Sequence, residues 1–319
     1  MPTPTPIASI TTPHIDPRFT GAFTAIITPF TADASAIDFA RLKDQIDFQA
    51  QGEDSHGGVK GIVINGTTGE SPTLSESEFR QLVTTGVALA HARGLIAIIG
   101  AGSNSTHHAV QLQKLAYDAG ADATLSVNPY YNKPVQDGLY QHFMHVADAA
   151  PIPVMLYNIP GRTGVALAPA TVARLSAHPN IRAIKEATGS TDSAGEIALR
   201  CPRLAVLSGD DTMTLPFMSV GAVGVVSVVS NLLPGKIARL CAAYTKGDHA
   251  GALAIHRELI PIARALFVET NPIPVKAAMK LLGRDSGSLR LPMTEAAPDT
   301  LRQLQSLPFM AEVSQPVTA

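Results

Sequence analysis

Ile181-Arg182-Ala183-Ile184-Lys185-Glu186-Ala187-Thr188 reads as a β-strand that runs into a Thr-Gly-Ser turn at 188–190. Branched and small apolar residues carry it, and a lysine sits near its C-terminal end. Nothing about a strand favours lysine, and lysine is almost never fully buried unless it is paired. Pointed into an apolar interior, the ammonium form loses hydration and its pKa falls. The neutral amine can then attack a carbonyl and form a Schiff base. Ala183, Lys185 and Ala187 alternate with Ile184 and Glu186, so small neighbours on the lysine's side leave room for a ligand. The competing reading puts the lysine on the outer face, its stem along the helices and its head in water.

Outward from this strand, period and punctuation repeat one unit along the chain. The other strands are predicted over 22–30, 61–65, 95–100, 123–127, 153–157, 204–208 and 223–229. Helices are predicted over 37–51, 75–92, 105–119, 136–149, 168–177, 192–200, 214–220 and 234–246. Ser75 with Glu78 three residues on is a capping-box pattern and marks one helix start. Strand and helix alternating eight times is the signature of an α/β protein of the (β/α)8 TIM-barrel type. An open doubly wound sheet is the alternative; no G-x-G-x-x-G opens a helix after the first strand, which weakens it. The stretch 248–319 shows no strand pattern and predicts about three helices, at 249–267, 274–282 and 295–305. The expected organisation is therefore a flexible N-terminal extension at 1–18, rich in proline, a catalytic barrel at 19–247 and a C-terminal helical appendage at 248–319.

Composition narrows the function. The chain has 319 residues, 45% hydrophobic and 16% charged, with net charge −2. That is enough to bury a sizeable core. Near-neutral charge without a Lys/Arg cluster argues against a nucleic-acid partner. Cys201 and Cys241 are far apart and form no CxxC, which argues for reduced thiols in an intracellular protein. The N-terminus lacks the basic start and apolar core of a signal peptide. The most apolar run, 220–229, contains two glycines and is too short to span a membrane. A soluble, cytoplasmic protein with no membrane partner is the expectation.

In a barrel of this type the active site is built at the C-terminal ends of the strands. Lys185 is the candidate nucleophile there. Tyr157 ends the preceding strand, so pairing in chain order brings both side chains to one cavity, where a phenol can pass protons to and from an imine. Gly66-Thr67-Thr68-Gly69-Glu70 is a tight turn whose backbone N–H groups and hydroxyls suit a carboxylate. Arg162, between Gly161 and Gly164, suits a bidentate carboxylate clamp. Asp210 and Asp211 invite a metal reading, but no histidine or further carboxylate is spaced to complete a site. His107 and His108 diverge by about 100° on a helix and form no ligand pair.

Six motifs together carry a resemblance: GTTGES at 66–71, NPYYNKP at 128–134, YNIPGRTG at 157–164, IKEATGS at 184–190, LSGDD at 207–211 and NPIPVK at 271–276. Over roughly 20–283 the chain resembles the dihydrodipicolinate synthase family of pyruvate-dependent class I aldolases, which also holds N-acetylneuraminate lyase. The resemblance implies condensation of pyruvate with L-aspartate 4-semialdehyde in lysine and diaminopimelate synthesis, with no metal and no organic cofactor. It implies that Lys185 forms the Schiff base and that Tyr157 shuttles protons. It further implies that Thr67 links Tyr157 to Tyr131, which reaches in from a neighbouring subunit of a homotetramer built from two tight dimers. Thr68 falls on the residue that holds the pyruvate carboxylate, Arg162 on the one that binds the semialdehyde carboxylate, and Gly209 and Val226 on positions lining the pyruvate pocket. A retro-aldol lyase acting on a sugar acid or sialic acid is the alternative, for which Arg162 is less needed. A barrel kept only to bind a ligand is the third reading, and the intact set of Lys185, Tyr157, Thr67 and Tyr131 argues against it.

The chain departs from the family pattern at its effector site. Feedback-inhibited members bind lysine between subunits, through two histidines and a glutamate. The matching positions here hold Glu76, Phe79 and His108, while Ser71, Asn104 and Tyr130 are kept. An amino-acid effector needs an anionic partner for its ammonium groups, so a weak or absent response to lysine is expected. The polar loop at 51–60 is longer than in the family, and the sequence assigns it no role.

Overall fold

A computed structural model describes residues 15–55 and 57–313, with no side-chain detail beyond Met310. Of the proline-rich extension, 1–14 lie outside the described residues. Eight parallel strands close in chain order into a barrel: β1 Gly21–Ala25, β2 Gly61–Ile64, β3 Ile96–Gly100, β4 Ala123–Val127, β5 Val154–Asn158, β6 Ile181–Glu186, β7 Ala205–Ser208 and β8 Gly224–Ser227. Helices α1 Phe39–Gln51, α2 Glu76–His91, α3 Thr106–Asp118 and α4 Gln136–Asp148 follow the first four strands. After β5 come two, α5 Pro160–Thr163 and α6 Pro169–Leu175, then α7 Thr191–Arg200, α8 Thr214–Met218 and α9 Pro234–Thr245 after β6, β7 and β8. The fold is the TIM barrel expected from the eightfold repeat, with helices after the barrel: α10 His249–Ala265, α11 Ile273–Leu281, α12 Pro298–Gln305 and α13 Pro308–Val313.

Alternation sorts each strand between two layers. Ala183 belongs to the barrel interior with Phe23, Val63, Ile98, Leu125, Met155 and Leu207, while Ile184 packs outward with Leu156 and Val206 under the helices. Phe19 is buried in the inner cluster just before β1, on a 3-10 turn, Pro17–Phe19, capped by Asp16. The α2 start carries the full capping box, with Ser75 Oγ accepting from Glu78 N–H and Glu78 accepting from Ser75 N–H.

Several elements differ from the sequence-based expectation. Strand one ends at Ala25 rather than at 30, because the chain leaves the sheet toward Pro29, and Phe30 pairs with Ile37 instead. Strand eight ends at Ser227 rather than at 229, because the Asp211 carboxylate takes the N–H groups of Val228 and Val229. The loop carrying Arg162 folds into the four-residue α5, and α12 starts at Pro298, where proline is pre-set for a first helical turn. The appendage holds four helices among the described residues rather than three.

The ring closes where β1 meets β8, Gly21 opposite Gly224. A Cβ on Gly224 would lie 1.9 Å from Gly21 O, so only glycine lets the strands meet. Beyond the strands, Asn231 takes the N–H of Ile27 and donates to Ala25 O and Val228 O. The loop with no assigned role also works at this seam. Glu53 accepts from the N–H groups of Gly235 and Lys236 at 2.6 and 2.8 Å, satisfying the start of α9, whose own cap residue, Leu233, supplies no side-chain bond. Arg239, one turn further, pairs with Glu53 and Asp54. Such a cap stabilises a helix by about 0.5–2 kcal/mol. No helix among the described residues is long and apolar enough to cross a membrane.

Candidate active site

Pairing in order puts Tyr157 of β5 directly opposite Lys185 of β6. Lys185 is buried, and its Nζ lies 4.4 Å from the centroid of the Tyr157 ring. Burial pushes the amine down to about 8; Asp211 opposes that shift and Arg162 reinforces it. Burial likewise pushes the Tyr157 phenol up to about 12. A lysine thus gains a usable fraction of neutral amine beside a phenol that keeps its proton. Space for the lysine comes from Gly209, just after β7. A Cβ there would lie 2.7 Å from Ala187 Cβ and 3.1 Å from Lys185 Cγ and Cε. Val226, buried on β8 opposite Phe23, belongs to the same interior layer as Tyr157.

The turn after β2 is held from three directions. Asn65 and Glu70 bracket it in the left-handed conformation, at φ 59° and 54°, a backbone state that costs about 1–3 kcal/mol outside glycine and persists only where surroundings fix it. Thr28 Oγ1 donates to Gly69 O at 2.7 Å. Asn271 Nδ2 donates to Thr68 Oγ1 at 3.0 Å. Lys276 Nζ donates to Glu70 Oε1 at 2.5 Å, and Arg290 N–H donates to Glu70 Oε2 at 3.0 Å. The clamp candidate Arg162 ends at the same place, its Nη2 donating to Asn271 O at 3.2 Å. Asn271, Lys276 and Glu70 therefore belong to the site's frame, although sequence reasoning gave them no role. The available signal was the NPIPVK motif, which opens on Asn271 and sets Lys276 in an otherwise apolar run that the structure buries as α11.

Thr67, Tyr157 and Arg162 line a cavity of about 550 Å³ together with Ser71, Tyr130, Glu76, Phe79 and His108. Thr67, Tyr157 and Arg162 thus share one continuous space with Ser71 and Tyr130 of the candidate effector site, while Lys185, Thr68 and Asn104 are not part of its lining. Asn104 donates to Tyr130 O and accepts from Asn132, tying the loop after β4 to the chain entering α3. Tyr131, in that loop at φ 73°, is 89% exposed and stands outside the cavity of its own chain. The two aspartates after β7 are used internally. Asp210 takes the N–H and hydroxyl of Thr212, and Asp211 takes the Ser227 hydroxyl and two backbone N–H groups.

A closed parallel barrel that buries one amine against one phenol at the C-terminal ends of neighbouring strands has the architecture of the aldolase-type lyase barrels. The sequence profile of the dihydrodipicolinate synthetase family matches residues 18–308. A 4-hydroxy-tetrahydrodipicolinate synthase of Leptospira biflexa is 47% identical over 285 residues, covering 88% of this chain and 94% of its own. The crystal structure of dihydrodipicolinate synthase from Aquifex aeolicus superposes with a TM-score of 0.88 at 41% identity, over 92% of this chain and 99% of that one. The enzyme from Cyanidioschyzon merolae, solved with lysine bound, gives 0.88 at 39% identity, over 93% and 99%. The chain belongs to the dihydrodipicolinate synthetase family.

Proposed function

We propose that this protein is a lyase that condenses pyruvate with L-aspartate 4-semialdehyde to give 4-hydroxy-tetrahydrodipicolinate, acting in the cytoplasm as a homotetramer. The observation that carries the reading is the register of Tyr157 against Lys185, which sets a buried amine beside a buried phenol. Lys185 adds to the ketone of pyruvate and water leaves, giving a protonated imine. Loss of a methyl proton converts it to an enamine, with the imine nitrogen as electron sink. The enamine carbon attacks the aldehyde, and the amino group of the adduct displaces Lys185 and closes the ring. Tyr157 carries protons to the departing hydroxyl and from the methyl group on the imine carbon, and Thr67 passes them toward a tyrosine. Thr68 holds the pyruvate carboxylate, Arg162 the semialdehyde carboxylate, and Gly209 and Val226 shape the pocket. Tyr131 completes the relay from a second copy of the chain, which fits its exposure in a single copy.

Borohydride trapping tests the chemistry: pyruvate should leave a reduced adduct on Lys185, and a coupled assay with aspartate semialdehyde should show turnover. An unmodified Lys185 after reduction overturns the reading. Gly209→Ala is expected to slow adduct formation at least about tenfold, because the new methyl meets the lysine stem and overpacking of this kind costs about 1–3 kcal/mol. Pyruvate-dependent adduct formation at the parent rate would show that Gly209 shapes nothing.

The lining of this cavity supports a weak or absent response to lysine. Glu76 is spent on Arg80 at 2.7 Å, Phe79 is buried in the apolar core, and His108 replaces an anion. Ser71, Asn104 and Tyr130 remain as a vestige of an effector site. A lysine titration is expected to leave activity unchanged through the micromolar range, and a micromolar half-maximal inhibition would contradict this.

A further inference from the structure

The C-terminal helical region meets Thr68 through one side-chain amide. Asn271, between α10 and α11, is buried, and its Nδ2 donates to Thr68 Oγ1 at 3.0 Å. Its Oδ1 is also buried and has no partner among the described residues. An unmatched buried carbonyl of this kind is unfavourable, so the amide is not there to satisfy itself. A threonine hydroxyl has one hydrogen and two lone pairs. Thr68 Oγ1 receives the Asn271 N–H on one lone pair and donates to nothing among the described residues.

We propose that Asn271 is a positioning residue for binding of the 2-oxo acid: its amide occupies a lone pair of Thr68 and turns the Thr68 hydroxyl hydrogen toward the substrate carboxylate. This rests on the reading of Thr68 as the carboxylate anchor. The rest of the turn is already fixed. Thr28 holds Gly69, and Lys276 with Arg290 N–H holds Glu70, so the hydroxyl torsion of Thr68 is the freedom that Asn271 removes. Arg162 meets the backbone carbonyl of Asn271 and not its side chain. Truncating the side chain therefore leaves the contact to the acceptor clamp in place, and the two substrates should respond differently.

The test is a double-mutant cycle on the full chain, read as separate KM values for pyruvate and aspartate semialdehyde. Asn271→Ala should raise the pyruvate KM about tenfold, in the range of one lost hydrogen bond to a charged group's anchor, and leave the semialdehyde KM within about twofold. In a Thr68→Val background the same substitution should add nothing, since residues acting as one unit are non-additive. Additive effects, or equal rises in both KM values, overturn the proposal and leave Thr68 as the anchor. A Thr68→Val variant with the parent pyruvate KM overturns the anchor reading and the proposal with it. If Asn271→Ala does not accumulate folded, Asn271→Ser keeps a polar group in the site but is too short to reach Thr68, and the same outcomes apply.

Discussion

Lys185→Met is expected to lose both the pyruvate adduct and turnover while gaining stability. Methionine keeps most of the stem and removes the amine. The fold bears a cost for that amine, because burial drives it from an ordinary 10.5 down to about 8. A shift of that size corresponds to about 3 kcal/mol, taken as an order of magnitude. Between about 8 and 10.5 the unfolded chain binds more protons than the folded one, so stability rises with pH through that window. Below about 8 the penalty is complete. Urea melts at pH 7 should therefore show Lys185→Met more stable than the parent, with the gap closing above pH 10. A variant no more stable at pH 7 would mean that the amine is not desolvated as the geometry requires. The same shift sets the pH course of the chemistry. Adduct formation should climb with pH and level off above about 8, with no fall from Tyr157, which holds its proton to about 12.

Lys276→Met should produce the largest loss of stability. Lys276 is fully buried, donates to Glu70 at 2.5 Å and to Ser288 O at 2.8 Å, and sits 4.1 Å from the centroid of the Phe30 ring. Burial lowers its pKa, and the carboxylate of Glu70 only partly restores it. Removing one member of such a pair leaves the other buried and uncompensated, at a cost of about 3–5 kcal/mol. Removing both charges together is far milder, because the desolvation is relieved on both sides. The urea midpoint of Lys276→Met should drop sharply, and Glu70→Gln with Lys276→Met should recover most of the loss. A single variant with the parent midpoint would show that the pair carries no net weight. Because Glu70 ends the turn that begins with Thr67 and Thr68, the single variant should also loosen pyruvate binding before it unfolds.

The barrel was legible because its information is local. Each strand and helix announces itself within a dozen residues, and closure in chain order then fixes which strand ends are neighbours. Tyr157 could be set beside Lys185 from that order alone, and the register bears the pairing out. Strand ends escape local pattern where side chains from elsewhere decide them, as Asp211 does for β8. The frame around the GTTGE turn was not legible. Asn271 and Lys276 meet it across more than two hundred residues of chain, and helical periodicity carries no mark of a contact at that range. The loop at 51–60 was opaque for the same reason, since Glu53 answers a need of α9 some 182 residues away.

The seam at Asn231 has a consequence for solubility. A closed barrel offers no strand with a row of unpaired N–H and C=O groups, and so no template on which another chain can add. Parting β1 from β8 would create two such rows at once, Gly21–Ala25 and Gly224–Ser227, both flanked by large apolar side chains. The Asn231 amide latches the far end of that joint through Ile27 and Ala25, while the Gly21–Gly224 contact closes the near end. One carboxamide and one missing side chain, at the two ends of the β1–β8 ladder, therefore help keep both rows paired and out of reach of another chain.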